Sequence, residues 1–262
     1  MSTPASPLRW PAEALWAAVV PEWPGFSIEV LPEIDSTNTE LMRRSRNGVN
    51  DPILLIAERQ TAGRGRSGRT WHGEVGQALT FSLGLPYQPQ SWSGLSLAVG
   101  LSLAESLGPE IQLKWPNDLW VAQPNTPQGW GKLAGILIET ASQGGKSYAV
   151  IGIGLNIQMP PTQDLRTPAT AIAEFWQEAT APTVLERIIQ PLLKALKGFE
   201  TQGFAPLQQR FNARDALRGL NVQSSDALEG LCEGVDSQGA LQLLTRHGHQ
   251  TIHSSEVSVR PL

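Results

Sequence analysis

Cysteine is almost missing from these 262 residues, and the single Cys232 excludes both an intramolecular disulfide and a zinc site built on paired thiolates. Such cysteine usage is consistent with a reducing compartment. Long apolar runs are missing too: no segment reaches the roughly 18 apolar residues of a membrane span. The N-terminus has no signal-peptide core, since Pro11 and Pro21 bound its only helical stretch. We therefore expect a soluble, cytoplasmic protein with no membrane partner. The four histidines, His72, His247, His249 and His253, make no His-x-x-x-His pair, so no dedicated protein ligands for a metal are expected. Positive charge is in deficit, with a net charge of −4 and pI ≈ 5.6. No global field attracts a nucleic acid, no nucleic-acid partner is expected, and any anion site must be local. Hydrophobic residues at 40% and charged residues at 17% describe a globular chain rather than a disordered or coiled-coil one.

Hydrophobic patterning predicts a short helix at residues 10–20 and a strand at 27–31. A helix opens at Asp35-Ser-Thr-Asn-Thr-Glu40, with Thr37 and Glu40 spaced as a capping box. An apolar strand at 53–58, a glycine-rich loop at 59–71 and a further strand at 78–85 follow. Helical spacing covers 95–107 and ends at Gly108-Pro109. Three β-rich runs lie at 111–115, 133–139 and 148–157, with a polar hairpin connection at 123–131. Residues 167–211 read as mostly helical, most clearly at 184–199. From residue 217 onward, short alternating strands punctuated by glycines suit a small antiparallel barrel. Expected, then, is an α+β fold: a mixed sheet with helices on one side, plus a small C-terminal β-barrel. The domain boundary is placed near Arg214, giving an N-terminal extension (1–26), a catalytic domain (27–214) and a barrel domain (215–262). The extension is too short for a helix-turn-helix domain.

The chemistry concentrates in a few segments. Arg59, Arg64, Arg66 and Arg69 fall within the stretch Glu58-Arg-Gln-Thr-Ala-Gly-Arg-Gly-Arg-Ser-Gly-Arg-Thr-Trp71. Their mutual repulsion calls for a bound anion or for carboxylates, and the glycines between them offer backbone N–H groups beside guanidinium forks. An exposed basic turn or a nucleic-acid segment fits the arginines alone equally well. The pattern differs from a Walker loop and from a dinucleotide fingerprint. Lys114-Trp-Pro-Asn-Asp118 places a cation, an amide and a carboxylate at a strand end, in a chain with only five lysines. An ordinary Asn-Asp turn has the same local sequence. Lys132-Leu-Ala-Gly-Ile-Leu-Ile-Glu139 puts a second lysine at the mouth of a buried strand, with Gly135 leaving room for a ligand. Gly152-Ile-Gly-Leu-Asn156 repeats that device.

Taken in order, these segments closely resemble the biotin protein ligases, from about residue 27 to Asn156 and again in 239–260. The resemblance implies a mixed sheet like that of class II aminoacyl-tRNA synthetases, followed by an SH3-like β-barrel. It implies that biotin and ATP, with Mg²⁺, give biotinyl-5′-AMP and pyrophosphate, after which biotin passes to one lysine of a carrier. The usual carrier is the biotin carboxyl carrier protein of acetyl-CoA carboxylase. By the same resemblance Ser36, Thr37, Asn38 and Gln60 meet the ureido ring. Arg64, Gly65 and Arg66 belong to a loop that closes over biotin and the adenylate and is mobile when empty. Lys132, with Gly135 beside it, meets the biotin carboxylate or acyl phosphate. Arg66, Arg69, Trp71, Lys114, Asn117 and Asn156 line the nucleotide, and Lys132, Arg66, Asp118 and Lys114 carry the chemistry. For Trp115, core packing is expected. A homodimer is compatible with the exposed β-rich segments. Lipoate ligases share the fold but not the arginine loop or the Lys-Trp-Pro-Asn-Asp turn. A nucleic-acid binder is disfavoured by the net charge, and an inactive biotin-binding module by the intact Lys132, Arg64, Arg66 and Asp118. The 123–131 connection and Ser254-Ser255 depart from the typical pattern without touching the expected catalytic residues.

Overall fold

A computed structural model describes residues 8–126, 129–161, 167–253 and 259–262. Its centre is a seven-stranded mixed sheet of β1 (Ser27–Ile34), β2 (Ile53–Gln60), β3 (Ala78–Pro86), β4 (Ile111–Lys114), β5 (Asp118–Ala122), β6 (Trp130–Gln143) and β7 (Lys146–Asn156), in the order β1-β2-β3-β7-β6-β5-β4. Only β1 and β2 run parallel; every other pair is antiparallel. Strands β2, β3 and β7 are buried along nearly their whole length, which is why they read as continuous apolar runs rather than as alternating ones.

The helices are α1 (Ala12–Val19), α2 (Thr37–Arg46), α3 (Leu95–Leu107), α4 (Ala181–Gln202) and α5 (Gln208–Ala213). Leu54 and Ile56 of β2 and Ile151 and Ile153 of β7 face the main core together with α1, α3 and α4. Their neighbours Ile53, Leu55 and Val150 face the other way, against Leu41 of α2. Three of the long helices thus share one face, as expected, while α2 lies alone on the opposite face. The period-2 alternation hides this, because both faces of these strands are apolar. Helix α3 is buried on nearly all sides, between the sheet and α4. Helix α4 starts with a Thr180–Thr183 capping box and Pro182 in its first turn.

Beyond α5, strands β8 (Asn221–Ser224), β9 (Glu229–Val235), β10 (Leu241–Thr245), β11 (Gly248–Ile252) and β12 (Val259–Pro261) form a second, antiparallel sheet in the order β11-β10-β9-β8-β12. The five strands are the small antiparallel C-terminal unit expected; among the described residues β11 and β12 do not pair, and no closed barrel is formed there. Glycine turns and alternation specify strands and hairpins, but closure depends on tilt and stagger that no local pattern carries. Ser254 and Ser255, and Glu256 to Ser258 of the C-terminal motif, lie outside the described residues, as do residues 127 and 128 of the 123–131 connection. The second sheet is anchored beside the β4–β5 turn. Trp115, fully buried as expected, donates its indole N–H to the Gly239 carbonyl at 3.1 Å. The Ser93 hydroxyl donates to the Gln238 carbonyl at 2.7 Å.

Candidate active site

The open face beside α2 has a floor of small residues. Register pairs Ser82 with Gly152, Thr80 with Gly154, and Gly154 with Gly135, so one stripe without bulk crosses β3, β7 and β6. A Cβ on Gly152 would sit 2.1 Å from Asn38 Oδ1, and one on Gly154 would sit 2.3 Å from the Trp71 ring. Both glycines exist so that a side chain can lie flat on the strand. Above this floor is a cleft of about 130 Å³.

One end of the cleft is built by the start of α2. Ser36 caps the helix, its hydroxyl accepting from the Thr39 N–H at 3.4 Å. The cap is therefore Ser36 and not the expected Thr37, and Glu40 pairs with Arg43 and Arg44 instead of closing a capping box. Thr37 is committed elsewhere: its N–H and hydroxyl donate to Gln60 Oε1 at 2.7 and 3.1 Å. Ser82 Oγ lies 2.7 Å from Thr37 Oγ1 and 2.6 Å from Asn38 Oδ1. Ser36, Thr37, Asn38 and Ser82 are all buried, so these polar groups are held in fixed orientations with little access for water.

The other end is cationic. Lys114 and Asp118 face each other in register across the β4–β5 turn. Lys132 Nζ forms an ion pair with Asp118 Oδ1 at 2.7 Å. The Lys132 backbone is clamped by the Pro168 carbonyl at 2.7 Å and the Thr170 N–H at 3.0 Å. Asn117 donates its amide to the Ile136 carbonyl at 2.8 Å. Lys114 is buried, with its ammonium 5.7 Å from the centre of the Trp120 ring. Burial pushes its pKa down to about 8; Asp118 opposes the shift, while Lys132, Arg69 and Arg66 reinforce it. Burial also holds the Arg66 guanidinium below its ordinary range, with Asp118 opposing and Arg69 adding to the shift.

Between the two ends the arginine segment projects as a hairpin. Gly65 N–H donates to the Arg69 carbonyl at 2.7 Å and Trp71 N–H to the Gly63 carbonyl at 2.9 Å. Arg64 reaches Glu139 with an Nη2–Oε1 distance of 3.0 Å, while Arg59 pairs with Glu33 outside the cleft at 2.9 Å. The repulsion read from the sequence is thus partly offset by carboxylates, with Arg66 and Arg69 directed at the cleft.

Every site residue expected from the sequence lines this one cleft except Asn156. That residue is buried behind the wall, where its amide donates to the Lys132 and Thr170 carbonyls at 3.2 and 3.0 Å. Its amide thus supports the backbone that carries Lys132. Ser82 joins the site without a motif of its own; its only signal in the sequence is that Thr80, Ser82 and Gly84 form a small and polar alternation inside an apolar strand. Glu139, the end of the Lys132-to-Glu139 motif, bonds Arg64 and Asn38, which the sequence does not indicate. Among the described residues, no group of three or more His, Cys, Asp or Glu side chains could hold a metal ion.

Residues 30–156 match the Biotin/lipoate A/B protein ligase family, and residues 221–260 match the Biotin protein ligase C terminal domain. The chain is 36% identical to the bifunctional ligase/repressor BirA of Escherichia coli, over 84% of this chain and 70% of that protein. It is 32% identical to the biotin--[acetyl-CoA-carboxylase] ligase of Mycobacterium tuberculosis, over 82% of each. The solved biotin protein ligase from Aquifex aeolicus, in complex with biotin and ATP, superposes with a TM-score of 0.76 at 29% identity, covering 90% of this chain and 99% of that one. With both parts of the chain matched and its sequence relatives covered along most of their length, the chain belongs to the biotin/lipoate protein ligase family, in the branch that carries the biotin protein ligase C-terminal domain.

Proposed function

We propose that the cleft activates biotin with ATP and then passes it to a lysine of a carboxyl carrier protein. The observation that carries this reading is the pairing, over one glycine floor, of a rigid hydroxyl and amide end with a cationic end. A ureido ring offers two N–H donors and one carbonyl acceptor, which suits Ser36, Thr37, Asn38 and Gln60. A carboxylate and a triphosphate must then meet, and Lys132, Lys114 and Arg66 offset the repulsion between them. In the first step a biotin carboxylate oxygen attacks the α-phosphorus, the bond to the bridging oxygen breaks, and pyrophosphate leaves with its electron pair. In the second step the carrier lysine amine attacks the acyl carbon, AMP leaves, and the amine proton is lost to solvent or base.

Lys132 is the residue to meet the biotin carboxylate and then the acyl phosphate, with Asp118 holding its ammonium in place. Lys114, Arg69 and Asn117 serve the nucleotide, and Trp71, lying flat over Gly154, serves the adenine. Mg²⁺ would come with the triphosphate and would supply neutralisation of its charge, with Asp118, the one carboxylate among the described residues lining the cleft, as the side chain available to it. The hairpin bearing Arg64, Gly65 and Arg66 is read as the lid. The boundary between catalytic and C-terminal domains is set at residues 214/215, with 1–26 as the N-terminal extension. This is supported by Arg214, whose guanidinium is bonded to the Ala104, Gly108 and Ile111 carbonyls and so belongs to the first domain.

The names of the relatives support the biotin carboxyl carrier protein of acetyl-CoA carboxylase as acceptor, and such a reaction belongs in the cytoplasm. No described helix is long and apolar enough to cross a membrane. Among the described residues strand β1 pairs on one side only, which supports reading it as an edge open to a second copy of the chain. Nucleic acid is not part of this reading. The test is biotin-dependent exchange of labelled pyrophosphate into ATP, run beside lipoate and beside no acid. Exchange with biotin alone is expected; exchange with lipoate, or none with either acid, overturns the proposal.

A further inference from the structure

The carboxylate of Glu139 is used by none of the steps above, yet it is the junction of two elements. Its Oε1 accepts from Arg64 Nη2 at 3.0 Å, and its Oε2 accepts from Arg64 Nη1 at 3.4 Å and from Asn38 Nδ2 at 3.0 Å. Arg64 Nη1 also donates to Thr39 Oγ1 at 3.3 Å. From Asn38 the contacts continue through Ser82 to Thr37 and Gln60. One polar chain therefore runs from the paired arm of the arginine hairpin to the ureido end of the cleft, and Glu139 is the link where it crosses from loop to helix. Glu139 itself does not line the cleft, whereas Arg64, Gly65 and Arg66 do.

We propose that Glu139 is a positioning residue that latches the arginine hairpin shut over the start of α2, without touching substrate. Arg64 is half exposed and Glu139 about a quarter exposed. A pair at such a surface does little for global stability, so its loss should act on the hairpin and leave the fold alone. The hairpin backbone carries Gly65 and Arg66 with it, so the latch sets how much of the population is closed and competent to hold biotin. Closure that is only partly populated weakens binding in proportion, which raises KM for biotin more than it lowers kcat. The effect on KM rests on the biotin-activating reading; the effect on the hairpin does not.

The test compares Glu139→Gln, which keeps an acceptor for Asn38 but loses the charge, and Glu139→Asp with the unchanged chain. Three quantities are read: circular dichroism with thermal melting, trypsin cleavage at Arg64, Arg66 and Arg69 in the absence of ligand, and the KM and kcat of pyrophosphate exchange. With the melting curve unchanged, Glu139→Gln is expected to speed cleavage in the hairpin and raise KM for biotin by about three- to tenfold each, at nearly constant kcat. Glu139→Asp should recover part of both. Combining Glu139→Gln with Arg64→Gln should cleave no faster than the faster single variant, since both break the same contact. Cleavage equal to that of the unchanged chain, or additive effects in the double variant, overturns the latch. A chain without exchange activity whose hairpin still loosens in Glu139→Gln keeps the latch and overturns only the reaction.

Discussion

Lys132 Nζ and Asp118 Oδ1 lie 2.7 Å apart where β5 and β6 run side by side, and Asp118 is the register partner of Gly135. The Lys132 ammonium folds back over Gly135, where a Cβ would lie 3.1 Å from Nζ and the ammonium would have to shift by a few tenths of an ångström. The pair holds a cation at the mouth of the cleft before any anion arrives, so little reorganisation is needed when charge develops on the reacting oxygens. Replacing Lys132 with Met should lower kcat of pyrophosphate exchange by about 10²- to 10³-fold, as removal of one preorganised donor does elsewhere. Asp118→Asn should cost less, because the ammonium remains but loses its anchor. The double variant should be no slower than Lys132→Met alone; an additive loss would mean that the two residues act separately.

The buried Lys114 offers a reading of where the nucleotide sits. Its pKa of about 8 lies below the ordinary lysine value, chiefly because of burial. Between about 8 and the ordinary value the unfolded chain therefore holds more protons than the folded one, and stability from this group rises with pH across that window. A triphosphate beside Lys114 reverses the shift, so binding at pH 8.5 should take up as much as about one proton. Calorimetry of ATP binding in two buffers of different ionisation enthalpy reads this uptake directly. Lys114→Met should abolish it, and equal uptake in the variant would place the nucleotide away from this lysine.

Much of this arrangement is legible in the residues. Helix α3 was read with its observed ends, because apolar spacing and the Gly108-Pro109 stop act locally. The motif lysines and arginines were legible because charges in a chain this poor in lysine stand out against their apolar neighbours. Strand β5 was not read, since its first residue belongs to a turn sequence. The cap at Ser36, the burial of Asn156 and the bonds of Ser82 were not read either. Hydroxyls and amides look alike in sequence, and only the strand register decides whether one faces a ligand or a carbonyl.

The two floor glycines should separate the halves of the reaction. Gly154→Ala places a methyl group into the Trp71 ring, and Gly152→Ala places one into the Asn38 amide. Each overpacks a tight contact, for about 1–3 kcal/mol of stability. The kinetic effects should diverge: Gly154→Ala should raise KM for ATP by about tenfold with KM for biotin nearly unchanged, and Gly152→Ala should do the reverse. Steady-state exchange with each substrate varied in turn measures both. The same KM rising in both variants would mean that the cleft is not divided along β7.

At the join between the two sheets, Asp215 should make stability fall as the solution becomes less acidic. It is buried; Oδ1 accepts from the Leu217 N–H at 2.9 Å, and Oδ2 has no hydrogen-bond partner among the described residues. Burial pushes its pKa up to about 6, with the Leu217 N–H and the charges of Arg218 and Lys114 opposing. The folded state therefore holds a proton that the unfolded state has already released. Its contribution to stability is fully present below the unfolded carboxylate value and is lost as pH rises to about 6, by on the order of 2–3 kcal/mol. Asp215→Asn keeps the acceptor for Leu217 and removes the titration. Other carboxylates also titrate in this range, so the telling quantity is the difference in melting temperature between the variant and the unchanged chain. That difference should be near zero at pH 4 and should favour the variant by several degrees at pH 7.5. A constant difference across the range would mean that Asp215 is charged in the folded chain throughout, with Arg218 and Lys114 compensating its burial in full.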